Sequence, residues 1–383
     1  MKVAFLTSEL YPVFSGGLGI AVYEMVKNFR KVDRGIDFIV AMPDLGWQGQ
    51  LDAEVIQVPH KLSFSTYAVR REFSRPNLNW DDFKSIYDFN FLLFQMLREK
   101  NIDIIHANDW MTVPAGLMLK GAGKKFIFHV HSTEYDRTNN NPRMRVVGME
   151  KAGIRQADGV ITTSNQMKQQ LIERYGANPS KVYVLYNGID VEKFRGHINL
   201  RKKKPGEKIV LFVGRLTVQK GVWELLHAAR KVVDHNPKVK FLIVGGGGSA
   251  RELIDLSINL GLQENVIFTG RVPEEELLAA YRVCDLFVMP SVSEPFGIVA
   301  LEAMASGKPI LVSKTSGVSE IVRHRLVVDY WDTEMMASKI LEALTYPDLS
   351  ESLIKNGSRE IEKMDWKYSV KRLRNIYRRV VNG

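Results

Sequence analysis

The chain has 383 residues, 45% hydrophobic and 25% charged, a length beyond what one hydrophobic core usually holds, so two globular domains are expected. A single cysteine, Cys284, excludes an internal disulfide framework and fits a reducing compartment. The net charge of +10 sits in two places, residues 193–208 and 367–383 at +6 each, and leaves the rest at −2; no helix-turn-helix, zinc spacing or aromatic–basic motif lies beside them, so nucleic acid is not an expected partner.

The start, MKVAFLTSEL, has too short an apolar run for a secretory segment, and no run reaches the roughly 20 residues that span a bilayer, so a cytoplasmic location is expected. Residues 3–6 read as a buried strand, and Ser15-Gly16-Gly17-Leu18-Gly19 opens a helix running to about Phe29. Strand, glycine loop and helix are the first unit of an α/β sheet, whose ligands lie at the carboxyl ends of the strands. Gly16 and Gly17 admit close backbone approach to a phosphate or sugar; the plainer alternative is a tight turn without a ligand. Residues 37–41, 56–58 and 67–73 follow as strands two to four, and residues 82–100 as a helix. A strand over 102–106 leads to His106-Ala107-Asn108-Asp109-Trp110, where Asp109 by itself reads as a helix N-cap. The strand over 126–131 carries His129 and His131 on one face, leaving open whether one of them is only packed. Residues 134–137, EYDR, read as a polar loop. A helix through 149–157, a strand at 160–163, a helix at 165–175 and a strand at 182–185 complete this half, which closes on the turn Asn187-Gly188-Ile189-Asp190.

A basic, Pro205-Gly206-containing stretch then has linker composition. From residue 209 the strand–helix alternation restarts. Its first junction, Val213-Gly-Arg-Leu-Thr-Val-Gln-Lys-Gly221, projects Arg215 and Lys220 from one loop, two cations suited to a diphosphate, with a forked contact from Arg and a point charge from Lys. A glycine run, 245–248, follows the next strand but lacks the full dinucleotide spacing. After a strand and turn over 266–273 and a helix over 274–282, the apolar run 286–289 closes at Pro290. The loop beyond carries Glu294, Pro295, Phe296 and Gly297, and a helix begins at Ile298 with Glu302 on it. A small residue at that helix start lets an anion reach the free N–H groups there, and the two carboxylates can accept hydrogen bonds from sugar hydroxyls. Residues 310–312 read as a strand, 315–318 as a loop, and 331–344 and 350–362 as helices. The tail from Trp366 is a basic amphipathic helix with Val370, Leu373, Ile376, Tyr377 and Val380 on one face.

Taken in order, S-G-G-L-G, H-S-T-E, N-G-I-D, G-R-L-x-x-x-K-G and E-P-F-G-I-V-A-L-E make the chain resemble the retaining glycosyltransferases of the GT-B fold, the group 1 superfamily that includes glycogen and starch synthases. The resemblance covers nearly the whole chain. It implies an α/β architecture of two Rossmann-like, doubly wound domains facing a cleft: residues 1–190 on the acceptor side, a linker at 191–208, a nucleotide-sugar-binding domain at 209–365, and a last helix, 366–383, packed back on the first domain. It further implies a metal-independent hexosyltransferase without cofactor, which moves a sugar, most simply glucose, from a UDP- or ADP-sugar to an acceptor hydroxyl such as that of an α-glucan. In that frame His131, Asp109, Glu294, Arg215 and Lys220 are the catalytic candidates. Gly16, Gly17, Arg215, Lys220, Phe296, Gly297, Ile298 and Glu302 are the donor-binding ones, with Glu294 on the sugar hydroxyls and Glu302 on the ribose. No D-x-D pair is present to chelate a metal. Two positions depart from the synthase pattern: Phe14 stands where those enzymes carry a lysine, and Asn108 where they carry a second histidine. A lipid or small-sugar acceptor, a nucleotide-sugar epimerase and a non-catalytic binding module are the alternatives. The basic tail is expected to dock on protein rather than on a membrane.

Overall fold

The computed structural model describes residues 1–13, 16–62, 78–195 and 204–383. The chain forms two compact units, Met1–Gly188 together with Trp366–Gly383, and Ile189–Asp365.

The first unit is built on seven parallel strands: β1 (Lys2–Leu6), β2 (Asp37–Pro43), β3 (Glu54–Val58), β4 (Ile104–Asn108), β5 (Lys125–Val130), β6 (Gly159–Thr162) and β7 (Val182–Val184). Their order is β3-β2-β1-β4-β5-β6-β7. Near-continuous apolar runs such as FIVAM and KFIFHV are what a parallel sheet covered on both faces requires. Ala4, Leu6, Ile105, Ala107, Phe126 and Phe128 pack one face. Val3, Phe5, Ile104 and Ile127 pack the other, together with Trp366, Val370, Leu373, Ile376, Tyr377 and Val380 of the C-terminal helix Trp366–Asn382. These six apolar side chains represent on the order of 10 kcal/mol of gross transfer free energy, enough to hold the helix on this face. Polar ties fix its position: Ser369 Oγ donates to the Tyr186 carbonyl at 2.7 Å, Arg372 Nε to the Val184 carbonyl at 2.6 Å, and Arg378 pairs with Asp33 at 3.3 Å. Part of the tail's positive charge is therefore used within the unit.

The second unit has six parallel strands, β8 (Lys208–Val213), β9 (Val239–Val244), β10 (Val266–Gly270), β11 (Leu286–Met289), β12 (Ile310–Ser313) and β13 (Leu326–Val328), in the order β10-β9-β8-β11-β12-β13. In both sheets the order reverses once, between β1 and β4 and between β8 and β11. At such a switch point neighbouring loops leave in opposite directions and open a crevice at the carboxyl ends of the strands. The loops after β1, β4, β8 and β11 are the ones that carry Gly16, Asp109, Arg215 with Lys220, and Glu294.

Several expectations change. Glu134–Arg137 is a buried helical turn rather than a polar loop, because its charges are paired internally. Asp109 occupies the position before the 3-10 turn Trp110–Thr112, yet its side chain does not cap that turn. Within the stretch read as linker, Val191–Arg195 form a short helix whose Val191 and Phe194 are buried. Helices begin earlier than the sequence suggested, at Met144 and Pro347, and β13 is an additional strand. The proposed strand 67–73 and Phe14 lie outside the described residues. Cys284 is buried, as expected.

Candidate active site

In the second unit the loops after β8 and β11 are packed backbone against backbone. A Cβ at Gly221 would lie 1.9 Å from the Pro290 carbonyl oxygen, and Gly221 has φ +67°, so only glycine fits this contact. The Val292 amide donates to the Gln219 carbonyl at 2.9 Å and closes the same junction. The outcome is a short ion pair: Lys220 Nζ donates to Glu294 Oε2 at 2.5 Å, with both side chains mostly shielded, 16% and 10% exposed. Ser291 Oγ adds a long contact to the same oxygen at 3.4 Å. Arg215 Nη2 donates to Gln219 Oε1 at 3.4 Å, in the same loop. Lys220 and Glu294 are thus joined directly, and Arg215 projects from the same loop as Lys220.

The Glu294 backbone is strapped to the loop after β12. The Gly317 amide donates to the Glu294 carbonyl at 2.9 Å, and the Val318 amide to the Phe296 carbonyl at 2.7 Å. Gly297, at φ +103°, turns the chain into the helix Ile298–Ala305; a Cβ there would meet Met289 Cε at 2.7 Å. The side chains of Phe296 and Ile298 are buried. What this segment offers a ligand is the N–H end of the helix, where the first amides have no intrahelical acceptor. Glu302, on the same helix, is almost fully buried and accepts a hydrogen bond from the Tyr281 hydroxyl at 2.7 Å. Burial raises its carboxyl above the usual range, and the Tyr281 hydrogen bond opposes that rise. Tyr281, 21 residues away, gave no sign of this role in the sequence.

In the first unit Gly16 is the N-cap of the helix Gly17–Val32, and a Cβ at Gly17 would meet no atom within 4 Å. Asp109 has φ +54°, an uncommon conformation for a residue with a side chain, at the end of β4. Its buried carboxylate accepts the His131 amide at 2.8 Å. Asp109 therefore holds the main chain that bears His131. The His131 imidazole is bonded through Nε2 to Asn108 Oδ1 at 3.0 Å. The Asn108 amide nitrogen donates to the carbonyls of Leu6 at 3.0 Å and His106 at 3.3 Å, which orients the amide with its oxygen toward His131. An amide oxygen only accepts, so the proton of His131 is on Nε2. Burial keeps the imidazoles of His106 and His129 well below their ordinary pKa range; it also lowers His131, against the opposing charge of Asp109. All three are neutral at pH 7.

Behind this loop is a buried charge cluster. Glu134 accepts from Arg137 and Arg143, and Glu150 accepts from Arg137 Nη2 at 2.5 Å and from the Tyr175 hydroxyl at 2.5 Å. Arg137 Nη1 also donates to the Ser132 carbonyl at 2.7 Å, tying the cluster to the residue after His131. Burial pushes the Glu150 carboxyl up to about 7. Among the described residues, no group of three or more His, Cys, Asp or Glu side chains is placed to hold a metal ion.

Comparison with known proteins gives this arrangement its context. The family model described as Glycosyl transferases group 1 matches residues 196–360, and that described as Glycosyltransferase Family 4 matches residues 15–193. An uncharacterized glycosyltransferase of Methanocaldococcus jannaschii is 32% identical over 99% of this chain and 98% of its own length. A D-inositol 3-phosphate glycosyltransferase of Thermobispora bispora is 29% identical over 72% of this chain and 70% of its own. The solved structure of Anabaena HepE in complex with UDP-glucose superposes with a TM-score of 0.76 at 19% identity, covering 98% of each chain. The chain belongs to the group 1 superfamily of glycosyltransferases, retaining-type enzymes of the GT-B fold. It transfers a sugar from a nucleotide diphosphate sugar to an acceptor hydroxyl, and the family typically does so without a metal cofactor.

Proposed function

We propose that this enzyme transfers glucose from UDP-glucose, with ADP-glucose as the alternative donor, to a hydroxyl of an α-glucan. The observation that carries the donor-side reading is the Lys220–Glu294 pair, with Arg215 in the same loop and a helix N-terminus three residues beyond the acid. As the glycosidic bond breaks, negative charge grows on the diphosphate and positive charge on the sugar ring. Arg215, Lys220 and the amides at Gly297 and Ile298 meet the first charge electrostatically. Glu294 faces the sugar hydroxyls and the second charge, and Glu302 takes the ribose. Their separation into a cation and an acid joined by one hydrogen bond lets Lys220 move its favour from carboxylate to phosphate when the donor arrives. His131 is neutral, with Nδ1 available as an acceptor toward the sugar and acceptor; Asp109 sets its main chain. UDP-glucose is the donor present in the HepE complex, which supports glucose and uridine over other choices. The glucan rests on the resemblance to glycogen and starch synthases.

A second acceptor reading, a small phosphorylated polyol or sugar, is favoured by the relative named for D-inositol 3-phosphate. The test is product analysis with UDP-glucose and ADP-glucose, each alone, with an α-glucan, or with phosphorylated small acceptors, in the presence of excess EDTA. Glucan extension with release of nucleotide diphosphate supports the first reading, and a small glycosylated product the second. Conversion of the donor to another nucleotide sugar without acceptor, or a strict need for added manganese, contradicts the proposal.

A further inference from the structure

The alternation along β4 and β5 turns His106 and His129 to the sheet face that the C-terminal helix covers. There Tyr377, fully buried, places its hydroxyl 2.7 Å from His106 Nδ1. His106 Nε2 is 3.1 Å from His129 Nδ1. The His129 ring in turn stacks on that of His131, with centroids 3.9 Å apart and planes 26° from parallel. Phe5 stacks on the far ring, His106, at 4.3 Å. Four side chains from three chain segments thus form an unbroken file from the last helix to the candidate site. We infer that Tyr377 is a positioning residue for His131, acting through His106 and His129 to set the plane of the His131 ring. This inference rests on the role proposed for His131.

Both hydrogen bonds join neutral rings, and a neutral imidazole has one donor and one acceptor nitrogen, so a partner on one side dictates what the other side can do. Tyr377 therefore reaches the His129 tautomer through two bonds. His129 Nε2 has no hydrogen-bond partner among the described residues, so the bond from His106 is the polar contact that orients this ring. His131 is gripped at one edge by Asn108 and has His129 across its face; a ring pinned at one atom still pivots unless its face is also held. Nothing in this file needs Tyr377 to touch a substrate. The consequence is that the C-terminal helix takes part in catalysis as well as in packing.

The test removes only the hydroxyl. Tyr377→Phe, assayed with UDP-glucose and water or glucan as acceptor, is expected to lower kcat about 10-fold, as a small misplacement of a reacting group does, with donor KM within about two-fold. The imidazole 15N resonances of His106, His129 and His131 are expected to shift, His106 and His129 losing their single tautomer. A variant with a lower Tm but unchanged kcat and unchanged His131 resonances overturns the inference. A companion pair keeps it testable if that variant folds poorly. His106→Gln retains a donor and an acceptor and is expected to keep kcat within about three-fold, while His106→Leu reproduces the 10-fold loss; equal activity in the two overturns it. The resonances are read without turnover, so an unaltered relay is distinguished from failure of the assigned activity, which would show in the unsubstituted enzyme.

Discussion

Lys220 Nζ and Glu294 Oε2 are 2.5 Å apart, although 74 residues separate them and they belong to loops after different strands. The sequence presents Lys220 as a cation suited to a diphosphate and Glu294 as an acceptor for sugar hydroxyls; the fold also pairs them with each other.

Lys220→Ala should lower turnover at least ~10²-fold, comparable to losing one preorganised donor in an oxyanion site. It should also cost about 1–3 kcal/mol of stability, because Glu294 is left largely buried without its partner. Glu294→Gln placed on top should restore much of that stability and none of the activity. Arg215→Ala should lose turnover to a similar degree with a smaller change in Tm. Thermal melts and initial rates check this; near-normal turnover in Lys220→Ala removes the cation from the mechanism.

Glu302 is expected to give donor binding its pH dependence. Its carboxyl is raised by burial, so protonation begins above the ordinary range near 4.3, and donor KM should climb as pH falls through that raised value. Tyr281→Phe removes the hydrogen bond that favours the charged form, so the climb should start at still higher pH. Glu302→Gln should raise KM at neutral pH, where the wild-type carboxylate is charged, abolish the dependence, and leave kcat within about three-fold, as loss of a contact made in both ground and transition states does. Glu294→Gln should instead act mainly on kcat. Steady-state kinetics from pH 5 to 8 separate the two; the reverse pattern exchanges their roles.

How far the sequence carried this depends on what each feature is made of. The glycine loops, G-R-L-x-x-x-K-G and the two glutamates were legible because a strand, a turn residue and a helix start are local. Their meeting was not, since the contact between Gly221 and Pro290 exists only once β8 and β11 are neighbours. Tyr281 beneath Glu302 and Tyr377 beneath His106 were invisible for the same reason, the second pair being 271 residues apart. EYDR misled because charged residues ordinarily mark exposed chain. Here Glu134 is buried and each of its oxygens is taken by an arginine. Asn108 had been visible only as a missing histidine; in the fold its amide fixes the proton of His131.

Acid should weaken the first unit early. His106, His129 and His131 all have depressed folded-state pKa values, so below their unfolded value near 6.5 the unfolded chain binds protons that the folded chain does not. Stability therefore rises with pH through that window and falls on acidification. Glu150, held at about 7, works the other way with one proton between its unfolded value and 7. Three lowered imidazoles outnumber the one raised carboxyl, so the net effect is a loss of stability as pH falls from about 6.5 to 5.5. Tm measured across that range should drop steadily; a flat profile means these rings are not buried neutral.

Retaining transfer from a nucleotide diphosphate sugar leaves its signature at the anomeric carbon of the product. The direct measurement is the anomeric configuration of the first product formed from UDP-α-glucose, read by proton NMR before mutarotation. An α-linked product, or α-glucose when water is the acceptor, is expected together with UDP. A β-configured product, or consumption of UDP-glucose without release of UDP, rules out retaining transfer.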